Sequence, residues 1–272
     1  MLTLNSRQPS PLLRPFVRAY AQRTVSADAP LQLLPQRLEQ GIGFEFGEPI
    51  EVIHADRPPI LSPSAAVVGT HALARSQLRL RRGVESFCIF LRPGGVAQLF
   101  GLPISELTNS YGDAHAVLGP VFDELWERMA AFPSFDCRVA IVEQFLLAQL
   151  PHASSTPMTA AANDLLRFRG TPRIARLAER YRLSLRQFER RFTNEVGLAP
   201  KLFARIARFQ TAIDWKVSQP ATTWREIAHT LGYHDQMHMV HDFGVLGGEA
   251  PSQLIMSLGD SRPPALANAE AR

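Results

Sequence analysis

The 272-residue sequence predicts an α+β chain in two parts, a β-rich amino-terminal domain and an all-α carboxyl-terminal one. Three observations carry this. Up to about residue 92, apolar residues alternate at period two in short runs bounded by Gly and Pro. After Pro93-Gly94-Gly95 the apolar period becomes helical. Beyond residue 170, one pattern (helix, tight turn, capped second helix) is written twice.

In chain order, Pro9, Pro11 and Pro15 make the opening an extended arm, and Phe16 to Tyr20 begin a first strand. Gly41 to Gly47 alternates and ends in a Gly-Glu-Pro turn, which reads as a strand. Val67 to Thr70 and Ser76 to Arg81 are two more. Glu85 to Arg92 (ESFCIFLR) is the strongest, and its continuous apolar run predicts burial on both faces. Short helices follow at Val96 to Phe100 and Ile104 to Asn109. In Gly119 to Ala131 the stripe is Val121, Leu125, Trp126 and Met129; in Phe135 to Leu150 it is Val139, Val142, Phe145 and Leu146. Residues 1–150 thus form the first domain, with its two long helices at 119–150. A Ser-, Thr- and Pro-rich linker is expected at 151–159, a helical domain at 160–255 that begins with a helix from Ala160 to Phe168, and a disordered tail at 256–272.

Within the helical domain, Ile174, Leu177 and Ala178 face a core, and Tyr181-Arg182-Leu183 turns the chain. Ser184 with Gln187 three residues on is a capping box that supplies the free amides of a new helix. There Leu185, Phe188 and Phe192 form a buried stripe, leaving Arg186, Glu189, Arg190 and Thr193 outside. Phe203, Ile206, Phe209 and Ile213 mark a linker helix from Pro200 to about Trp215. The pattern then repeats. Thr223 and Glu226 form a second capping box, Ile227, Ala228 and Leu231 face inward, Gly232-Tyr233 turns, and Asp235 caps a helix. Its Met239 and Phe243 point in, while Gln236, Met237, Val240 and His241 point out. A helix that buries one side and offers arginines on the other has the layout of a DNA-recognition helix.

Charge distribution agrees. Residues 165–255 carry 14 Lys plus Arg against 8 Asp plus Glu, and the remainder 15 against 17, so the basic excess sits where phosphate neutralisation would need it. From Arg225 to Ile255, however, one basic residue faces four acidic ones. The apolar fraction of 46% supports two ordinary cores, no apolar run reaches the length of a membrane span, and MLTLNSRQPS lacks a secretory pattern, so a cytoplasmic location is expected. Cys88 and Cys137 sit in apolar runs and are expected to be buried thiols.

The helical region resembles the DNA-binding domain of the AraC/XylS family of transcription regulators. The resemblance rests on Ile174-x-x-Leu177-Ala178, Ser184-x-x-x-Phe188-x-x-x-Phe192, Gly197-x-x-Pro200-x-x-Phe203, Arg208 with Ala212, Glu226-Ile227-Ala228, Gly232-Tyr233, Asp235-Gln236, Phe243 and Pro251-Ser252. The strand-rich half, with its FCIFLRPGG segment, is similar to the family's sensory domains. The resemblance implies a small barrel or sandwich that binds a small effector or dimerises, and two recognition helices entering successive major-groove segments about 34 Å apart. Double-stranded DNA is the implied partner, with a small-molecule effector and a second copy of the chain as further ones. By position the base-reading residues fall on Arg186, Glu189 and Arg190 beside the cap Ser184 and Gln187, and on Gln236, Met237, Val240 and His241 of the second helix. Arg186 and Arg190, four apart, share a face suited to guanine O6/N7, and Glu189 suits cytosine N4 or holds an arginine. His241 stands where the family has an arginine, and Met237 and Gly244 also depart from its pattern, which shifts the expected readout to the first unit. Arg205 and Arg208 are available to the DNA backbone, or Arg208 joins the two units through a salt bridge. Trp215 and Trp224 are expected at the packed junction.

Other classes were weighed on the residues. His234, His238 and His241 have helical ligand spacing but no completing carboxylate or thiolate, so no metal or cofactor is expected. His54, His71 and His115 raise a cupin-like enzyme in the amino-terminal domain, but there is no H-x-H. No G-x-S-x-G, P-loop or dinucleotide fingerprint is present. Two scattered cysteines do not make the four-cysteine centre of a methyl-accepting repair domain. A helix-turn-helix module that mediates protein contacts without binding DNA is the remaining alternative, so no catalytic residue is assigned.

Overall fold

The structure, a computed structural model, describes residues 1–54, 58–72, 76–102 and 107–259. Residues 260–272 of the expected tail, and 104–106 of the expected short helix, lie outside the described residues.

Ten strands precede or interleave with the first helices: β1 (Leu2–Arg7), β2 (Val17–Val25), β3 (Gln32–Leu34), β4 (Gln40–Glu45), β5 (Glu51–Ile53), β6 (Ile60–Leu61), β7 (Ala65–Val68), β8 (Ser76–Arg79), β9 (Glu85–Leu91) and β10 (Tyr111–Asp113). The helices that follow or intervene are α1 (Gly95–Phe100), α2 (Ala114–Leu118), α3 (Val121–Ala130) and α4 (Phe135–Gln149).

The barrel or sandwich expected for this domain is not what forms. Among the described residues the strands make two open sheets, one of six in the order β1-β2-β9-β4-β7-β10 and one of four in the order β3-β8-β5-β6. The reason lies in what each face of the large sheet carries. Its rows Tyr20–Ile89–Ile42 and Gln22–Phe87–Phe44 point to one side, where Phe87, Ile89, Phe44 and Tyr20 are fully buried against Val96, Phe122, Leu125, Val142 and Leu146 of the helices. Helices therefore cover the face that a second sheet would need. The alternate rows, Arg23–Ser86–Glu45 and Ala21–Cys88–Gly43, point the other way and carry small or polar side chains that cannot form a dry sheet-to-sheet core. Instead the two sheets meet at one end, through Val25, Ile50, Leu80 and Val84.

Central β9 lies between β2 and β4 and is buried on both faces, as its apolar run implied. Two stripes shift by a residue or a turn. Val121 is exposed and Phe122 is buried in its place, because α3 begins only at Val121 and the core meets its second residue. Cys137, expected inside, is exposed on α4.

The second half is all helical: α5 (Pro157–Arg167), α6 (Ile174–Arg180), α7 (Leu185–Val196), α8 (Pro200–Ser218), α9 (Trp224–Thr230), α10 (Gln236–Gly247) and α11 (Pro251–Leu258). Thr156 and Thr159 form a capping box at α5, so helix starts inside the stretch 151–159. One core runs through all seven helices, with α8 at its centre: Phe203, Ile206, Phe209 and Ile213 are fully buried. Among the described residues no helix is long and apolar enough to cross a membrane.

The two halves are joined by buried polar contacts on α8. The Arg18 guanidinium of β2 pairs with Glu39 and, at 2.8 Å, with Asp214 of α8. Gln210, one turn earlier, donates to Glu39 at 2.6 Å and accepts from the Leu38 amide at 3.2 Å. The amino-terminal half also touches the carboxyl-terminal ends of α7 and α10, through Thr108 Oγ1 to the Gly197 carbonyl (3.2 Å) and the Gln36 amide to the Leu246 carbonyl (3.1 Å).

Candidate nucleic-acid interface and effector cavity

Helix α7 is set by local chemistry at both ends. The Ser184 hydroxyl accepts from the Gln187 amide, and the Gln187 carbonyl oxygen accepts from the Ser184 amide at 3.1 Å and its hydroxyl at 2.9 Å. Gly197, at φ 85°, ends the helix in the left-handed region that glycine tolerates best. Arg182 takes a positive φ of 55° in the turn before it. Phe188, Phe192 and Val196 anchor α7 in the core, whereas Leu185, expected in the same stripe, is 41% exposed because it is the first helical residue and stands past the core's edge.

Arg186 and Arg190 are exposed on the opposite face and make no side-chain hydrogen bond or ion pair among the described residues. Glu189 is partly exposed and lies 3.9 Å from the Lys201 ammonium at the start of α8. Arg173, Arg176, Arg182 and Arg191 are exposed around the same unit, so α6, the turn and α7 present a cluster of mobile cations.

The second unit is built alike and charged differently. Thr223 and Glu226 cap α9 reciprocally, Gly232 turns at φ 68°, and Asp235 caps α10 through the His238 amide at 2.7 Å. That amide holds the Asp235 carboxyl below its usual range, and the Thr223 amide does the same for Glu226. Gln236, Met237 and His241 are exposed and Val240 is half-buried. Arg205, on α8, is committed to buried Asp242 of α10 at 2.7 Å. Arg208 lies with its guanidinium carbon 5.1 Å from the Tyr233 ring centroid. The salt bridge between linker helix and second unit is thus made by Arg205, and Arg208 contributes a cation–π contact in the same junction. Trp224 packs edge-on to Phe243 at 5.5 Å between centroids, and Trp215 is partly buried against the same core.

The second feature of note is a cavity of about 240 Å³. One wall is the small-residue face of the large sheet, with Ala21, Arg23, Gly41, Gly43, Glu45 and Cys88. The facing wall is the small sheet, with Leu33, Val52 and Leu78, and the third is helical, with Gln210 and Ile213 of α8 and Leu258 of α11. Burial raises the Glu45 carboxyl to about 8, against the pull of nearby Arg23, and raises the Cys88 thiol to about 11. His54 and His71 line this cavity, but His115 is elsewhere, exposed beside Asp123, so the three histidines do not come together. Among the described residues no group of three or more His, Cys, Asp or Glu is placed to hold a metal ion. Sequence reasoning did not find Arg23, Arg37 or Glu45. Their meeting depends on strand register and on a small sheet whose short strands carry no period of their own.

Two family models match the chain: a helix-turn-helix domain over residues 177–256, and a domain of unknown function (DUF6597) over residues 5–113. No protein of curated function matches by sequence. Similar solved structures include ToxT from Vibrio cholerae O395, at TM-score 0.51 and 11% identity over 95% of this chain and 98% of that one. An apo variant of ToxT from strain SCE256 gives 0.52 and 11% over 95% and 98%. The wild-type protein of that strain, crystallised with unsaturated fatty acid bound, gives 0.50 and 11% over 96% and 97%. At this identity the likeness is one of fold, and it spans both halves in one chain. The helix-turn-helix match, the duplicated capped units on either side of α8 and the shared two-domain fold give this chain the architecture of an AraC/XylS-family transcriptional regulator, an amino-terminal sensor domain joined to a carboxyl-terminal helix-turn-helix domain.

Proposed function

We propose that the chain is a sequence-specific DNA-binding transcription regulator in which α7 supplies most of the base readout and the amino-terminal domain modulates it on binding a small effector. The observation that carries this reading is α7 itself. Its buried aromatic stripe and reciprocal cap hold it rigidly, while Arg186 and Arg190 stand exposed on the outer face without intramolecular partners. Guanidinium groups so placed can meet guanine O6 and N7 bidentately, each sound contact adding roughly 1–3 kcal/mol of discrimination. Glu189, near Lys201, is less free and serves to orient the helix face or to accept from cytosine.

In α10, Gln236 offers one amide to adenine or phosphate, and Met237 and Val240 offer apolar contact to thymine methyls. Neutral His241 adds no full charge, and Arg205, paired with Asp242, is held for the junction. Readout is therefore asymmetric, strong from the first unit and weak from the second. The bound small molecule of the ToxT structure is the reason to assign an effector to the amino-terminal domain here.

Selection of duplexes from a random pool by the purified full chain tests this. The reading expects one enriched motif with a well-defined guanine-containing segment and a looser segment a helical turn away. Binding with no enriched motif, or no DNA binding at low salt, would overturn it in favour of a protein-contact module.

A further inference from the structure

We propose that the cavity between the two sheets is a site for an organic carboxylate, held by Arg23 and Arg37 with its apolar body against the small sheet and with α8 and α11 forming one wall. This rests on the regulator reading and names its effector class and the residues that take it.

The two arginines are the unusual feature. Arg23 lies in the row Arg23–Ser86–Glu45 across β2, β9 and β4, and Arg37 follows β3 with its guanidinium carbon 5.8 Å from the Phe90 ring centroid. Both act electrostatically on Cys88, one step along β9, so the two cations converge on one spot of the cavity wall. The Nε of each is buried without a hydrogen-bond partner, and neither side chain has an ion pair among the described residues. Both retain some accessible surface although protein surrounds them, because what they face is the cavity. The nearest carboxyl does not neutralise them. Burial keeps Glu45 protonated up to about pH 8, and its Oε2 is itself unpartnered. Buried cations without anions are costly, and structures keep them where a ligand brings the counter-charge.

The walls choose the kind of anion. They are strand faces, whose amides are used in the ladders, so the donors offered are planar guanidinium forks and the Glu45 carboxyl rather than a nest of backbone N–H groups. Planar forks match a planar carboxylate. Leu33, Val52, Val68 and Leu78 then require an apolar remainder. Room for it comes from Ala21, Gly41, Gly43 and Ala66, and a Cβ at Gly43 would meet nothing within 4 Å. The third wall carries the consequence for DNA. Gln210 and Ile213 belong to α8, the helix between the two helix-turn-helix units, and Gln210 already bonds Glu39 and Leu38 across the domain boundary. An acid in the cavity thus bears on the helix that sets the two units relative to each other.

The test uses the full chain and two readouts. Thermal melts are recorded with straight-chain carboxylates from acetate to decanoate and with benzoate, each beside its neutral amide, and with inorganic phosphate. At least one acid should raise the melting temperature saturably and change affinity for the selected DNA site, while its amide and phosphate do not. Arg23→Met and Arg37→Met should each weaken that acid's binding at least tenfold. Gly43→Leu should abolish it with both arginines intact, which keeps the test valid if an arginine variant fails to fold. The proposal is overturned if no acid shifts the melt, if an amide or phosphate works as well as the acid, or if Gly43→Leu binds normally. Loss of acid binding in a chain that still selects DNA sinks this site alone; acid binding by a chain that selects no DNA sinks the regulator reading alone.

Discussion

Replacing Arg18 with Met should be among the most damaging single changes in the protein, although Arg18 lies far from the exposed face of α7. Its side chain is 4% exposed and is shared between Glu39 and Asp214, which are 3% and 5% exposed. The methionine keeps most of the apolar stem and removes only the charge. Two carboxylates are then left close together and shielded from water, with Gln210 the remaining donor to Glu39. Breaking a buried ion pair by removing one partner costs about 3–5 kcal/mol, because the abandoned charge stays desolvated. With two such carboxylates, Arg18→Met should fall at the upper end of that range. Denaturation of the full chain followed by tryptophan fluorescence reads this, since Trp215 adjoins Asp214 on α8. The triple variant Arg18→Met, Glu39→Gln, Asp214→Asn should recover most of the loss, because amides tolerate burial far better than unpaired carboxylates. A loss below about 1 kcal/mol for Arg18→Met, or a triple variant no more stable than the single one, would refute the claim that this network binds the halves together.

Three further outcomes are expected. Ser184→Ala should lower stability by about 1 kcal/mol through loss of the α7 cap, with Ser184→Asp close to wild type, measured by urea denaturation. Glu45→Gln should remove a pH dependence: the folded carboxyl titrates near 8 and the unfolded one near 4.5, so wild-type stability is highest below 4.5 and falls as pH rises to 8. Melts at pH 5 and pH 8 should therefore differ less in Glu45→Gln than in wild type, by at most about 5 kcal/mol at about 1.36 kcal/mol per unit; equal differences would show that Glu45 is not held protonated. His241→Arg should tighten DNA binding at low salt and steepen its salt dependence by about one phosphate contact, in a binding titration repeated at three salt concentrations.

The helical half was legible because its information is local. Ser184 with Gln187, Thr223 with Glu226, and Asp235 mark helix starts by side-chain chemistry within four residues, and Phe203, Ile206, Phe209 and Ile213 mark a buried face by spacing alone. The strand-rich half was legible only where a strand was long. Residues 85–91 announced themselves, but β3, β5, β6 and β10, of two or three residues each, show no alternation, and β1 was read as an arm. The barrel or sandwich failed for a related reason. Whether Tyr20, Ile42 and Phe44 meet a second sheet or meet α3 and α4 is decided by partners distant in sequence. The cavity arginines and the Arg18 network were hidden in the same way, since nothing local to Arg23, Arg37 or Arg18 distinguishes them from surface cations.

The most direct test of the central claim is a fluorescence-anisotropy titration of the selected DNA site with wild-type chain and with the Arg186→Ala, Arg190→Ala double variant. Loss of two base contacts at roughly 1–3 kcal/mol each predicts at least about thirtyfold weaker binding of that site, with weak binding to unrelated DNA reduced far less. Equal affinity of the two proteins for the site would mean that α7 does not read the duplex, and the account of this chain as a regulator acting through its first helix-turn-helix unit would be wrong.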